Sequence, residues 1–242
     1  MVASRDEKIK SLTKVKHAPV GFDLLRSESI CGINFLTPLD SRPIGIMLSG
    51  GADSAVLLYY LMKTCPGNKI YVFTLANTQR NMRNATHASL VVNKCVELTG
   101  NTNVAHVITY DVEQTDTNIF NSISKSYETA NTAYHYSGVT LNPPNSVTKK
   151  FKLPISETYR NTENNPKTVD LEYSFFAPFA RHDKSTIKKL YDEFDLIDEL
   201  FPLTRSCEYD PSISNDISNP GSGHCGECWW CEERKWAFRR LE

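Results

Sequence analysis

Two groups of residues in this 242-residue chain have the types and spacing to do chemistry. The first is Leu48-Ser49-Gly50-Gly51-Ala52-Asp53-Ser54, where two adjacent glycines and three short polar residues follow an apolar run. Adjacent glycines let a backbone approach an anion closely, and the N–H groups and dipole of a helix N-terminus attract phosphate. The turn matches neither the GxxxxGK[ST] loop nor the GxGxxG dinucleotide pattern. A glycine-rich turn that only joins a strand to a helix is the plainer alternative. The second group is Cys207, Cys225, Cys228 and Cys231, spaced C-x17-C-x2-C-x2-C. Four such thiolates can surround a tetrahedral Zn²⁺ and staple a loop that has little core of its own. Pro211, Pro220, Gly221 and Gly223 mark the intervening stretch as that loop. An iron–sulfur cluster, or cysteines without metal, are the alternatives. His224 could replace one cysteine as a ligand but is read as a solvent-facing neighbour of the cluster.

The elements that must position these residues follow from periodicity. Ile44 to Leu48 is a short apolar run ending in Ser49-Gly50-Gly51, as expected of a buried strand and a tight turn. Asp53 and Ser54 are expected to cap a helix over 55–63. Residues 69–75 and 104–110 are β-rich, and Ala88, Val91, Val92, Cys95 and Leu98 form a helical stripe closed by Gly100. Strands alternating with helices predict βαβ units, hence an α/β fold with a parallel sheet and helices on both faces. From residue 111 to about 173 the pattern weakens. One helix is expected near 118–130, and Ser137 to Asn145, with Gly138 and Pro143-Pro144, is the candidate lid. Asp183 is expected to cap a helix with Ile187, Leu190, Tyr191 and Phe194 on one face. The chain divides into an amino-terminal extension (1–40) with one or two short strands, a nucleotide-binding domain (41–205) and a carboxy-terminal zinc module (206–242).

Lys184 falls in the first turn of that last helix, where the dipole disfavours a cation unless an anion lies in front of it. Phosphate contact and solvated surface charge are both open for it. Arg80, Arg83 and Arg181 read mainly as surface charge. Trp229, Trp230 and Trp236 are expected to wall the cysteine site. Cys31, Cys65 and Cys95 are isolated and read as small packing residues.

Composition excludes several classes. Lys plus Arg (27) nearly balances Asp plus Glu (28), which argues against a dedicated nucleic-acid binder. The longest apolar run, Ala55 to Met62, is far shorter than the roughly 20 residues a membrane helix needs, so no membrane partner is expected. The charged opening MVASRDEKIK does not look like a secretory signal, which points to the cytoplasm.

The SGGxDS turn after a strand resembles the pyrophosphate loop of the N-type ATP pyrophosphatases. Together with Ser206-Cys207, Cys225-Gly226-Glu227-Cys228-Trp229-Trp230-Cys231 and Arg234-Lys235-Trp236-Ala237-Phe238, it is similar to the 7-cyano-7-deazaguanine synthase family within that superfamily. Ala177-Pro178-Phe179 through Asp183-Lys184-Ser185-Thr186-Ile187 resembles the family's Pro…Lys-x-x-Ile stretch. The resemblance covers about 44–110 and 177–238. It implies an adenine nucleotide alpha-hydrolase-like fold and an ATP-dependent ligase that converts 7-carboxy-7-deazaguanine and ammonia into the nitrile through adenylates. It further implies that Leu48, Ser49, Gly50, Gly51, Ala52, Asp53 and Ser54 form the ATP site, with Asp53 placing Mg²⁺ or orienting the loop and Lys184 acting on phosphate. Zn²⁺ would sit on the four cysteines, and a homodimer is a candidate assembly. Three features depart from the family: a longer gap between the first two cysteines, the amino-terminal extension, and a middle section (118–173) without the stretch expected to line a base pocket. A tRNA sulfur-transfer or lysidine-type enzyme would share the loop but would call for a basic tail or an RNA-binding domain. A repurposed nucleotide-binding homologue would account for the divergent middle.

Overall fold

The computed structural model describes residues 21–76, 83–110, 126–127, 129–149, 160–161, 166–207 and 224–241. In chain order the elements are β1 (Leu25–Ile30), β2 (Ile33–Pro38), β3 (Ile44–Met47), α1 (Ala52–Thr64), β4 (Ile70–Ala76), α2 (Arg83–Thr99), β5 (Val104–Tyr110), β6 (Tyr134–Tyr136), α3 (Asn145–Thr148), β7 (Val169–Asp170), β8 (Phe175–Phe176), α4 (Lys184–Glu193) and α5 (Trp229–Phe238).

Six strands form one sheet in the order β5-β4-β3-β6-β8-β7, parallel throughout except for β7. The chain builds outward from β3 through β4 to β5, then returns to place β6 and β8 on the other side of β3. The carboxyl end of β3 is therefore a topological switch point, the place where open α/β sheets bind ligands. Ser49 to Ser54 emerge there.

Helix α1 is apolar nearly all round: Ala52 and Ser54 through Met62 are buried. It lies between the sheet and three further layers, as an all-round apolar helix must. On one side is the β1–β2 hairpin, whose two-residue turn, Cys31-Gly32, has both φ angles positive (51° and 79°), the twist that suits a tight hairpin. Phe35 packs on Tyr60 with ring centroids 4.1 Å apart and planes tilted by 35°, and the Tyr136 hydroxyl donates to the Leu36 carbonyl at 2.7 Å. Leu25, Ile33, Phe35 and Leu36 of the hairpin thus belong to the main core. On the other sides lie α2 and α4, and Phe238 of α5 stacks on Phe201 at 4.1 Å, so the carboxy-terminal helix shares this core as well. On the opposite sheet face, Tyr127 in a helical segment packs edge-on against Phe73 at 5.3 Å. The remainder of the helix expected near 118–130 lies outside the described residues.

Two local expectations are corrected. Leu98 of the α2 stripe is exposed (36%), because the helix has turned its last apolar position past the core edge, while Ala88, Val91, Val92 and Cys95 are buried. The divergent middle supplies two strands, β6 and β7, and β8 follows just beyond it, all three too short for an alternating pattern to show.

Candidate functional site

The turn after β3 takes its shape from Gly50, whose φ of +80° favours glycine. A Cβ there would also meet the Asn84 carbonyl, the Ala88 nitrogen and the His87 Cβ at 3.1–3.2 Å, so the start of α2 packs directly on the turn. The Gly50 carbonyl accepts from the Arg205 N–H at 2.8 Å, which ties the loop to the run leading into Cys207. Gly51, not Asp53 or Ser54, is the N-cap of α1, and no side chain caps it. This corrects the expected cap. Asp53 and Ser54 sit inside the first turn, and the Ser54 hydroxyl bonds inward to the Gly51 carbonyl (3.3 Å) and the Ser49 N–H (3.4 Å). A helix start that no side chain caps, with two serine hydroxyls beside it, is what an anion needs.

Asp53 opens a buried charged group. Its Oδ2 lies 3.6 Å from Lys184 Nζ and accepts from the Thr140 hydroxyl at 3.5 Å. Lys184 donates to Glu233 Oε2 at 2.7 Å, and Arg160 Nη2 donates to Glu233 Oε1 at 2.7 Å. Two carboxylates and two cations balance. Burial raises the Asp53 carboxyl above its ordinary range, against the pull of the Lys184 ammonium. Burial pushes Glu233 the same way, yet Arg160 and Lys184 overcome it and hold the carboxyl below the usual range. Lys184 stays charged despite burial because Asp53 and Glu233 flank it. The anion that a first-turn lysine requires is therefore this carboxylate pair. Asp53 Oδ1 is buried without a hydrogen-bond partner among the described residues, a donor that fits a divalent cation such as Mg²⁺.

The four cysteines converge. Their Sγ atoms lie within 4.8 Å of one another, with Cys207–Cys225 at 3.6 Å, Cys207–Cys228 at 3.7 Å and Cys225–Cys231 at 3.9 Å. A tetrahedron with Zn–S bonds of about 2.3 Å has edges of about 3.8 Å. The donor set fits one tetrahedral ion; the thiolates of an iron–sulfur cluster sit on separate irons and stand farther apart. Hydrogen bonds from Cys228 and Cys231 lower the pKa of the Cys207 thiol below its ordinary value. His224 is half-buried rather than fully solvent-facing: its Nδ1 lies 3.7 Å from Cys231 Sγ, and burial lowers its pKa to about 3.

Arg234, fully buried on α5, fastens the cluster to the domain. It stacks on Phe201 at 3.7 Å and donates to the Thr204 hydroxyl (2.8 Å) and the Phe201 carbonyl (3.0 Å). Trp229 is buried beneath Arg160, with the guanidinium 5.6 Å from its ring. Gly138 of the candidate lid packs on the first turn of α1, and Thr140 of the same segment reaches Asp53.

Arg181 bonds to the Pro166 and Ala180 carbonyls at 3.2 Å, away from the quartet. Arg80, the Arg83 side chain, Pro211, Pro220, Gly221 and Gly223 lie outside the described residues. Arg160 and Glu233 went unrecognised in the sequence. Arg160 stands in a stretch without periodicity, and Glu233 reads as one of four consecutive charges on a short helix.

No protein-family model matches the sequence. No curated protein matches it either. Solved structures with partial likeness include the U34-tRNA thiolase NcsA from Methanococcus maripaludis with its 4Fe-4S cluster, at 14% identity and a TM-score of 0.42 over 79% of this chain and 64% of that one. NMN synthetase from Francisella tularensis gives the same identity and TM-score, over 85% of this chain and 76% of that one. This chain spans less than two thirds of the thiolase's length.

Proposed function

We propose that the chain is an ATP pyrophosphatase-type enzyme that binds ATP at Ser49–Ser54 and transfers AMP to a carboxylate. The observation that carries this reading is the SGGADS turn at the sheet's switch point, with Gly50 in its left-handed conformation and α1 starting without a side-chain cap. The backbone N–H groups of that turn and the Ser49 and Ser54 hydroxyls would hold the β- and γ-phosphates as pyrophosphate departs. Asp53 Oδ1 would hold Mg²⁺, which neutralises phosphate charge when bound. Asp53 itself is fixed by Lys184 and Thr140.

For substrate we propose 7-carboxy-7-deazaguanine with ammonia, the ligase chemistry implied by the resemblance of the cysteine module and the Arg234-to-Phe238 tail to the 7-cyano-7-deazaguanine synthase family. A carboxylate oxygen attacks the α-phosphorus and pyrophosphate leaves; ammonia then attacks the carbonyl carbon and AMP leaves, giving the amide. A second adenylation on the amide oxygen, followed by loss of AMP, gives the nitrile. The Ser137–Asn145 segment, seated against α1, would exclude water that competes with ammonia. One Zn²⁺ on the four cysteines would hold α5 in place.

The test is incubation with ATP, ammonium and 7-carboxy-7-deazaguanine, with mass spectrometry of the base and chromatography of the nucleotides. AMP, pyrophosphate and the nitrile are expected, and Asp53→Asn should abolish all three. ADP and phosphate alone would overturn the ATP chemistry. AMP release with another acceptor would overturn only the substrate.

A further inference from the structure

Glu233 follows Cys231 by two residues on α5 and is fully buried. Its two carboxylate oxygens engage Lys184 and Arg160 at 2.7 Å each. Both partners lead to one place. Lys184 Nζ lies 3.6 Å from Asp53 Oδ2. Arg160 Nη2 donates to Thr140 Oγ1 at 2.7 Å and to the Leu141 carbonyl at 2.9 Å, and Thr140 Oγ1 in turn donates to Asp53 Oδ2. The Asp53 carboxylate is thus held from two sides by groups that Glu233 orients.

Stability alone does not account for such an arrangement, because well-packed apolar residues often replace buried ion pairs without loss. A fixed orientation is what the network supplies. The position of α5 is set in turn by Cys231 within the cysteine cluster and by Arg234 on Thr204 and Phe201.

We propose that Glu233 is a positioning residue that couples metal occupancy of the cysteine cluster to the geometry of Asp53 in the nucleotide loop, by way of Lys184 and Arg160. The inference rests on the ATP-loop reading for its nucleotide arm. Coupling between two sites is reciprocal, so MgATP must change metal retention by the factor by which the metal changes MgATP affinity.

The experiment is chelator competition on the full chain loaded with Zn²⁺ or Co²⁺, with and without saturating MgATP. Wild type should retain metal about tenfold more strongly with MgATP, within the usual range for groups in one network. Glu233→Gln, checked for one metal per chain by elemental analysis, should reduce that factor below about twofold, and Glu233→Asp, which keeps the charge at shorter reach, should fall between. The wild-type factor persisting in Glu233→Gln overturns the proposal, as does MgATP binding to wild type with no change in metal retention. If wild type fails to bind MgATP, the proposed function fails, and acetic anhydride modification of Lys184, read by peptide mass spectrometry, decides the coupling separately. Metal removal should then raise Lys184 modification several-fold in wild type and leave Glu233→Gln, already modified, unchanged. Equal rises in both proteins, or none in wild type, overturn it.

Discussion

Gly138 lies across the first turn of α1 so closely that a Cβ on it would stand 2.9 Å from both the nitrogen and the Cα of Ser54. Backbone meets backbone there, and neither side can swing away. Gly138→Ala should push the Ser137–Asn145 segment off the helix start, at a cost of about 1–3 kcal/mol typical of overpacking. MgATP affinity measured by calorimetry should fall with it. Gly67→Ala, where a Cβ meets nothing within 4 Å, is the control and should leave both urea stability and affinity unchanged. Equal behaviour of the two variants would mean that the segment does not shape the site.

The parts of this site that could be read in advance are those made by contiguous residues. The SGGADS turn, the cysteine spacing and the Asp183 cap, which accepts from the Ser185 N–H at 3.0 Å, each carry their signal within a few positions. The Val104–Tyr110 strand is found with the expected bounds because its β-rich run is long enough to count. What escaped has a physical reason in each case. Strands of two or three residues, such as β6 and β8, have no period. The Gly51 cap was missed because polar side chains near a helix start usually cap it, and here that start carries no side-chain cap. The Glu233–Arg160 pair joins residues 73 positions apart, and no local pattern announces a partner at that range. Lys184 was half legible: the dipole argument requires an anion, and only the fold reveals that the anion is protein.

Gly50→Ala should be more damaging than its size suggests. The φ of +80° costs an L-residue about 1–2 kcal/mol, and the new methyl would press on the Asn84 carbonyl and the Ala88 nitrogen at 3.2 Å, both backbone atoms. Urea unfolding should show that loss. Pyrophosphate binding should drop even under conditions where the variant is folded, since the same distortion moves the Gly50 carbonyl that holds Arg205. Unchanged binding in the folded variant would separate this turn from the anion site.

Any one of Cys207→Ser, Cys225→Ser, Cys228→Ser or Cys231→Ser should lose metal and the order of α5 together. A closed four-thiolate zinc site contributes on the order of 10 kcal/mol to folding of the segment that carries it. Elemental analysis of the colourless wild-type protein should give one zinc per chain, and the variants none. Near-ultraviolet circular dichroism should report the change, because Trp229 is buried beside the cluster on the same helix. Brown protein containing iron and sulfide would overturn the single-ion reading that the 3.6–3.9 Å spacing supports.

His106 makes stability depend on pH in a direction that can be worked out. The Thr74 hydroxyl has one proton and gives it to the Leu48 carbonyl at 2.9 Å, so at its second contact, 2.9 Å to His106 Nε2, it accepts. Nε2 therefore carries the hydrogen. Burial lowers the His106 pKa below its ordinary value of 6.5, so the folded protein keeps the ring neutral while the unfolded chain takes up a proton. The unfolded state then binds more protons, and stability rises with pH. The contribution is fully present above about pH 6.5 and is lost as pH falls toward the folded-state value. His182, also lowered by burial against the pull of Asp183, and His224, lowered by burial to about 3, act in the same direction, so the wild-type slope alone does not isolate one ring. The difference between wild type and His106→Gln does. Urea midpoints should fall between pH 7.5 and 5.5 in both, and fall less in the variant, which can still donate to Thr74 but cannot be protonated. Nitrogen chemical shifts should place the His106 hydrogen on Nε2 at neutral pH. Equal acid sensitivity in the two proteins would mean that the strand ends beneath the nucleotide loop are not held by a neutral imidazole.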